Sequence, residues 1–274
     1  MQCSICKKNA VISRQYEGRA LCRKHFFDSV DKNMRKTIRL DGLMPRGAHV
    51  AVGVSGDNDS MLLLYLLHKL NKMRGDLKIS AVFADEGIRG YRKKMISQAR
   101  RFCRDLNVPF FLVTYKDVFG VTIDEVSRKL DGKDADVCVY CRELRESLLK
   151  RKAIEINADR IALASNMDDE VQAIIAKYFG YDAPVDIGEV VNVPVEDEDL
   201  IKIIKPLSIV PENETALYAR LKKIECMPMT CPYGETSFRY KIRGILNDLE
   251  EKHAGIKFNI LKTEQKIRMV SEKV

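Results

Sequence analysis

Three groups of residues in this 274-residue chain have types and spacings that could do chemistry. The first is Ser55-Gly56-Asp57-Asn58-Asp59-Ser60, set between the apolar run Val50–Val54 and the leucine-rich run Met61–Leu70. A strand buried on both faces, a tight polar turn and a helix start bring free backbone N–H groups and the positive end of a helix dipole together, which suits a phosphate. Gly56 lets the backbone approach the anion, and Ser55 and Ser60 offer hydroxyls. The G-x4-G-K-[ST] pattern of a Walker loop is missing. A helix following a strand, with Asp59 or Ser60 as its N-cap, accounts for the same residues without any ligand.

The second group is Cys3-Ser-Ile-Cys6 and, fifteen residues later, Cys22-Arg-Lys-His25. Zinc takes four tetrahedral sulfur or nitrogen ligands, and two-residue knuckles place two of them on one side of the ion. Thirty residues bury little core of their own, so the metal would supply the folding energy. Four protein ligands leave no open position, which makes this zinc structural. Arg14, Arg19, Arg23 and Lys24 surround the knuckles and could meet RNA phosphates or simply water. The third group is Cys138-Val-Tyr-Cys141, at a helix start followed by Arg142, Arg145, Lys150, Arg151 and Lys152, with Cys226 and Cys231 much later. The helix N-terminus and the cations favour thiolate. Spacing leaves three readings open: a structural zinc on all four cysteines, a redox pair, or an iron–sulfur cluster on three thiolates.

The elements that must position these groups follow from the pattern of apolar residues. Strands are expected at 50–54, 78–84, 109–114 and 158–165, with a further strand-like run at 201–207 and helices between them. Alternation of this kind implies right-handed crossovers and a doubly wound, mostly parallel α/β sheet. Ligands of such sheets sit at the carboxyl ends of the strands, where Ser55–Ser60, Asp85-Glu86 and Asp168-Asp169-Glu170 all fall. The acids at 168–170 read either as the first turn of a helix capped by Asn166 or as carboxylates holding a magnesium ion beside a triphosphate. Helices are also expected at 26–36, 93–106, 171–179 and 214–224, with Cys103 buried on the second of these. Glu196–Asp199 reads as solvated surface. The lysine-rich tail, 256–274, packs on the domain or lies along RNA.

Composition bounds the function. Apolar residues make up 46% and charged residues 31%, enough for one large domain plus a small appendage. No apolar run approaches the roughly 20 residues needed to span a bilayer, and MQCSICKKNA holds no signal-peptide core, so a cytoplasmic protein is expected. Eight cysteines in a reducing compartment point to metal ligands or reactive thiols rather than disulfides. The net charge of +8 suits a polyanionic partner.

The turn at 55–60 resembles the S-G-G-x-D-S signature of the PP-loop ATP pyrophosphatases, which adenylate a carbonyl oxygen and release pyrophosphate. Ser55, Gly56, Asp59 and Ser60 match it, and Asp57 stands at the second glycine. Further motifs follow in order: the N-terminal C-x2-C…C-x2-H ribbon, D-E-G-I-x-G-Y-R at 85–92, C-x2-C at 138–141, N-x-D-D at 166–169, K-P-L at 205–207 and C-P-Y…F-R at 231–239. Together they make nearly the whole chain similar to the TtuA/TtcA-type tRNA 2-thiolation family, above all to its archaeal and eukaryotic wobble-uridine branch. Three features depart from that pattern. Asp57-Asn58 replaces Gly-Lys, Ala164-Ser165 replaces Gly-His, and no cysteine follows Cys231 to build a second zinc module.

The resemblance implies a Rossmann-like PP-loop domain at 29–250 behind a zinc ribbon at 1–28, with a basic helical tail at 251–274. It implies a sulfurtransferase that adenylates the C2 oxygen of a tRNA pyrimidine, uridine 34, with ATP and Mg2+ and then installs sulfur. Cys138, Cys141 and Cys231 correspond to the ligands of a [4Fe-4S] cluster, with Cys226 a spare thiol. Asp169 joins them as a catalytic residue. Val54, Ser55, Gly56, Asp59, Ser60, Ala84, Arg145 and Ala164 correspond to nucleotide-binding positions, while Cys3, Cys6, Cys22 and His25 hold Zn2+. The implied partners are tRNA, a sulfur donor (a small sulfide or a ubiquitin-like sulfur carrier) and a second copy in a homodimer. A degenerate paralogue that binds tRNA or metal without turning over ATP is the competing expectation, because a carboxylate beside a pyrophosphate cradle is repulsive.

Overall fold

The N-terminal residues form a ribbon in which β1 (Ile12–Arg14) pairs antiparallel with β2 (Arg19–Leu21), Ile12 lying opposite Leu21. The computed structural model describes residues 1–40, 44–131, 136–181, 187–191, 201–227 and 230–271. Helix α1 (Arg23–Leu40) starts directly after Cys22, which puts His25 in its first turn. The helix is longer at both ends than the 26–36 expected, and its buried stripe of Phe26, Val30, Met34 and Ile38 recurs every four residues.

The main domain alternates strand and helix as expected. In chain order it comprises β3 (His49–Val54), α2 (Asn58–Arg74), β4 (Lys78–Asp85), α3 (Lys93–Asp105), β5 (Phe110–Thr114), α4 (Tyr115–Phe119), α5 (Ile123–Lys129) and α6 (Val137–Glu155). It continues with β6 (Arg160–Ala162), α7 (Met167–Tyr178), β7 (Lys202–Ile204), α8 (Glu212–Lys222), α9 (Phe238–Lys252) and α10 (Ile256–Ser271). The sheet runs β5-β4-β3-β6-β7, and every pairing is parallel. Central strand β3 is almost wholly buried because helices cover both faces, so its sequence is a continuous apolar run. Leu62, Leu63, Leu64, Leu66 and Leu67 of α2 are all buried, because the helix is covered by α8 as well as by the sheet.

Strand β6 covers only three of the eight residues expected at 158–165. Its ladder with β3 stops at Ala162, after which Leu163 donates to the Ile204 carbonyl and the chain turns into the Asn166 cap. Strand β7 likewise stops at Ile204, short of Pro206, which has no N–H to give a ladder. Chain order reverses between β3 and β6: from β3 the chain proceeds outward to β4 and β5, from β6 to β7 on the other side. A crevice for ligands opens at the carboxyl ends of strands at such a reversal. Glu196–Asp199 lies outside the described residues. Among the described helices, none is long and apolar enough to cross a membrane.

Two buried ion pairs fasten the ends of the chain to this core. The Arg14 guanidinium of β1 meets Glu214 of α8 through two bonds (Nε to Oε1 2.8 Å, Nη2 to Oε2 2.5 Å), and the Tyr16 hydroxyl donates to the same carboxylate at 2.6 Å. At the other end, Lys257 of α10 pairs with Asp168 at the start of α7. The tail therefore packs on the domain through α7 and α9.

Both members of the Arg14–Glu214 pair have only 1% of the side chain exposed. Removing one strands a buried charge without its partner. Glu214→Ala is expected to lower the free energy of urea-induced unfolding by about 3–5 kcal/mol, read from the denaturation midpoint.

Candidate functional site

A cavity of about 400 Å³ opens at the carboxyl ends of β3, β4 and β6. Seven of the eight nucleotide-binding positions expected from sequence line it: Val54, Ser55, Asp59, Ser60, Ala84, Arg145 and Ala164, together with Asp169. Gly56 shapes the turn from behind. Its φ of +86° is in the left-handed region, and a Cβ there would lie 2.9 Å from Met95 Cβ, so only glycine fits. Its carbonyl accepts the Met227 N–H at 3.0 Å.

The cap of α2 is Asp57, one residue before the helix, and not Asp59 or Ser60. An Asp57 oxygen accepts the Ser60 N–H at 2.8 Å, and the other accepts the Ser55 hydroxyl at 2.7 Å. Ser55 N–H donates in turn to Ser60 Oγ at 3.1 Å. The donors that sequence assigned to a phosphate are thus holding a carboxylate of the chain itself.

Asn166 and Asp169 form a capping box at the start of α7, each side chain bonded to the other's backbone N–H at 3.1 Å. The Asn166 amide also donates to Asp59 at 3.2 Å, which joins the β6 turn to the β3 turn across the crevice. Asp168 points away to Lys257 and accepts the Glu212 N–H at 2.8 Å. Glu170 reaches Lys205 of the K-P-L motif at 2.8 Å. Burial first, then the charge of Asp57, pushes Asp59 up to about 8. Burial also raises Asp169, to about 6, against the Asn166 amide that lowers it. Acids so crowded call for a cation.

Glu86 stands at the end of β4, fully buried, and accepts both arms of Arg92 at 2.6 Å. Arg145 of α6 approaches it at 2.9 Å. Burial alone would raise this carboxyl, but Arg145 and Arg92 outweigh it and hold Glu86 below its ordinary value. Arg92 also donates to the Ser55 carbonyl at 3.3 Å, and Arg145 to Cys141 Sγ at 3.3 Å. Gly87 (φ +72°) is required next to this carboxylate, since a Cβ there would meet Thr122 Cγ2 at 2.5 Å.

Cys138 and Cys141 lie on the first turns of α6, and Cys231 on the loop before α9. Asp136 brings the two helix starts together, accepting from the Cys138 N–H at 2.8 Å and from the Phe238 N–H at 3.2 Å. Cys138 Sγ donates to the Tyr233 carbonyl at 3.4 Å, two residues past Cys231. The thiolate character expected of these cysteines is not what the protein groups alone produce. Burial, then Asp136, Cys141 and Cys231, push Cys138 up to about 12, and burial raises Cys141 despite Arg145. Cys231 lines a second cleft of about 780 Å³ that shares Asp57, Asp59 and Arg239 with the first. Cys226 is raised by burial and then by Asp57 and Asp59, on the side of the β3 turn.

The ligand atoms of Cys3, Cys6, Cys22 and His25 all lie within 4.8 Å of one another, and no other set among the described residues is so close. Sulfurs of a tetrahedral zinc site stand about 3.8 Å apart, from Zn–S bonds of about 2.3 Å. The observed Cys6–Cys22 and Cys22–His25 separations of 3.6 and 3.5 Å fit that ion. Among the described residues, no set that includes Cys138, Cys141 or Cys231 meets that spacing.

Sequence reasoning placed Glu86 at a strand end where ligands sit but gave it no role, and it missed Arg92, although it quoted the motif that holds both. A buried carboxylate one residue past a strand carries no periodic signal. Arg142, read from sequence as a cation beside the Cys138-x2-Cys141 pair, and Arg239, read as the end of the C-P-Y…F-R motif, also line the first cavity.

Comparison with known proteins agrees with this geometry. Residues 29–247 match the PP-loop domain family, and residues 2–27 match the N-terminal LIM domain of 2-thiouridine synthetase TtuA. The chain is 34% identical to tRNA 2-thiolation protein NcsA of Haloferax volcanii, over 95% of this chain and 85% of that protein. It is 32% identical to cytoplasmic tRNA 2-thiolation protein 1 of Danio rerio, over 91% and 73%. The solved structure of the U34-tRNA thiolase NcsA from Methanococcus maripaludis with its [4Fe-4S] cluster superposes with a TM-score of 0.83 at 29% identity, covering 97% of this chain and 87% of that one. Sequence, fold and site thus agree that the chain belongs to the PP-loop family of tRNA 2-thiolation sulfurtransferases and is a transferase.

Proposed function

We propose that the protein adenylates the C2 oxygen of uridine 34 of a tRNA with ATP and replaces that oxygen with sulfur carried on a [4Fe-4S] cluster held by Cys138, Cys141 and Cys231. The observation that carries this reading is the link from the β3 turn through Arg92, Glu86 and Arg145 to Cys141 Sγ. It ties a phosphate-type turn to Cys141, and Cys231 lines the cleft next to the first. The cytoplasm is the proposed location, with a sulfide or a sulfur-carrier protein as donor and a homodimer as the assembly.

The chemistry needs two displacements. The uridine C2 oxygen is a poor leaving group, so its attack on the α-phosphorus of ATP, with loss of pyrophosphate, turns it into part of AMP. Sulfur then bonds to C2 and AMP departs with the oxygen. The Ser55 hydroxyl and the Ser60 amide would hold the pyrophosphate once Asp57 turns away from them. Asp59 and Asp169 would hold Mg2+, whose charge offsets both their own and that of the phosphates. The backbone at Val54, Ala84 and Ala164 would flank the nucleoside. Arg145, tied to Glu86, would sit between the α-phosphate region and the sulfur. The cluster, when bound, supplies an iron with an open position for the sulfur to be transferred. Zn2+ on Cys3, Cys6, Cys22 and His25 would stabilise the ribbon without taking part in the reaction.

One observation favours a second reading, a paralogue that binds tRNA or metal without ATP turnover: Asp57 fills the cradle that pyrophosphate needs. Asp57→Gly separates the two. Removing one negative charge a few ångströms from a phosphate is expected to tighten ATP binding roughly tenfold or more, measured by calorimetry. Unchanged affinity, with no pyrophosphate released anaerobically on adding ATP and tRNA, would establish the second reading.

Metal analysis of anaerobically purified protein checks the cysteine roles. Cys138→Ala is expected to lose iron and the cluster's visible absorbance while keeping zinc, whereas Cys22→Ala loses zinc and unfolds the ribbon. Zinc in place of iron at Cys138 would overturn the cluster assignment. The acids give a pH signature as well. A carboxyl raised from 3.8 to about 8 opposes folding of the free protein increasingly as pH climbs from 4 to 8. Mg2+ is therefore expected to raise the melting temperature more at pH 8 than at pH 6, and an equal rise at both would remove Asp59 from the ion's ligands.

A further inference from the structure

Asp124 stands in the first turn of α5, where it takes no part in the cap, since Thr122 and Glu125 form the capping box between them. Its carboxylate instead reaches two segments distant in the chain. One oxygen accepts the Tyr233 hydroxyl at 2.8 Å, and the other accepts the Arg89 N–H at 3.0 Å. Arg89 lies in the loop between Glu86 and Arg92, and the Ile123 N–H beside Asp124 donates to the Glu86 carbonyl at 2.8 Å. Tyr233 lies two residues past Cys231. One carboxylate therefore ties the loop of the buried Glu86 to the loop of Cys231.

Residues 231–234 form a β-turn, closed by the Gly234 N–H on the Cys231 carbonyl at 2.9 Å, with Pro232 fixing the backbone at its second position. A turn closed in this way moves as a unit, so holding Tyr233 holds Cys231. Tyr233 is held from two sides, its hydroxyl by Asp124 of α5 and its carbonyl by the Cys138 thiol of α6 at 3.4 Å. Cys138 and Cys141 have a helix to fix them: Asp136 caps it, and the Tyr115 hydroxyl donates to the Cys141 carbonyl at 2.7 Å. Cys231 has only a loop.

Resting on the sulfur-transfer reading above, we infer that Asp124 is a positioning residue that holds Cys231 in place for Cys138 and Cys141 through the Tyr233 hydroxyl. Partners outside the ligand shell orient metal ligands, and losing one costs about tenfold or more in metal affinity. A thiol on a loop gains more from such a partner than one on a helix, because more of its backbone freedom remains to be removed. The second oxygen, on the Arg89 N–H, adds a further consequence. The loop that aims Glu86 and Arg92 and the loop that carries the third thiol share one anchor.

Full-length protein reconstituted anaerobically with ferrous iron and sulfide provides the test, read by iron per chain, the rate of iron loss to a chelator and the EPR spectrum of the reduced cluster. Tyr233→Phe keeps the ring and removes only the hydroxyl. It is expected to lose iron about tenfold faster and to alter the EPR spectrum, while zinc content and the melting temperature of the iron-free protein stay as in the parent. Asp124→Ala is expected to lose iron at least as fast, and the double variant no faster than Asp124→Ala alone, because both changes break the same bond. Asp124→Asn is expected to restore the parent's behaviour, since its amide oxygen still accepts the Arg89 N–H and its amide N–H can donate to the Tyr233 oxygen. Phenylalanine and alanine variants with the parent's iron-loss rate and EPR spectrum would overturn the positioning role, and so would additive losses in the double variant. A parent protein that takes up no iron would instead overturn the sulfur-transfer reading beneath it, and that control tells the two failures apart.

Discussion

Glu86 is a carboxylate with no exposed surface, and the site is built around the need to neutralise it. A buried charge of this kind is tolerated only where partners surround it with good hydrogen-bond geometry. Here two arginines do so, Arg92 from the loop after β4 and Arg145 from the third turn of α6. Each has a further contact that matters more for function than the ion pair itself. Arg92 reaches the Ser55 carbonyl in the β3 turn, and Arg145 reaches the sulfur of Cys141. The end of one strand therefore sets the spacing between the phosphate-type turn and the thiols. An apolar replacement of similar volume could fill the same space but could not aim either guanidinium.

A second constraint is the concentration of acid around the crevice. Asp57, Asp59 and Asp169 come from two different helix starts, and Asn166 bridges them. Each acid is locally reasonable, since a carboxylate near a helix N-terminus gains from the dipole. Their sum is not, which is why burial and mutual repulsion carry Asp59 to about 8. A polyanionic nucleotide enters such a crevice only with cations. The basic side chains around the rim, Arg145, Lys205 and Arg239, are placed to help.

The ribbon and the tail extend this organisation through further buried pairs. Glu214 fastens the ribbon to α8 through Arg14, while Glu212, two residues earlier, donates its N–H to Asp168, which in turn binds Lys257 of α10. The start of α8 thus lies between the two termini of the chain. Asp168, one of three adjacent acids, serves this framework, and Asp169 faces the cavity. One step along a helix turns a side chain by about 100°, so neighbouring acids take different jobs.

The order of strands and helices, the buried character of β3 and the Cys3–Cys6–Cys22–His25 tetrad were all legible in the sequence, because each rests on local spacing: apolar periodicity in the first two cases, two-residue knuckles in the third. Most positions lining the first cavity were legible too, since they follow the ends of strands whose order is parallel. Other features depend on residues far apart in the chain. Asp57 could be read as a repulsive substitution, but its position across the Ser60 amide depends on the turn that Met95 and Met227 hold shut. The 3-ångström reach from Arg145 to Cys141 depends on where Glu86 is buried. Spacing did not say which late cysteine lies nearer the α6 pair; Asp136 ties the starts of α6 and α9 together, and Cys138 bonds the Tyr233 carbonyl two residues past Cys231. Local patterns are written in neighbouring residues, whereas a charge pair or a shared cap forms only when packing brings distant elements within about 3 Å.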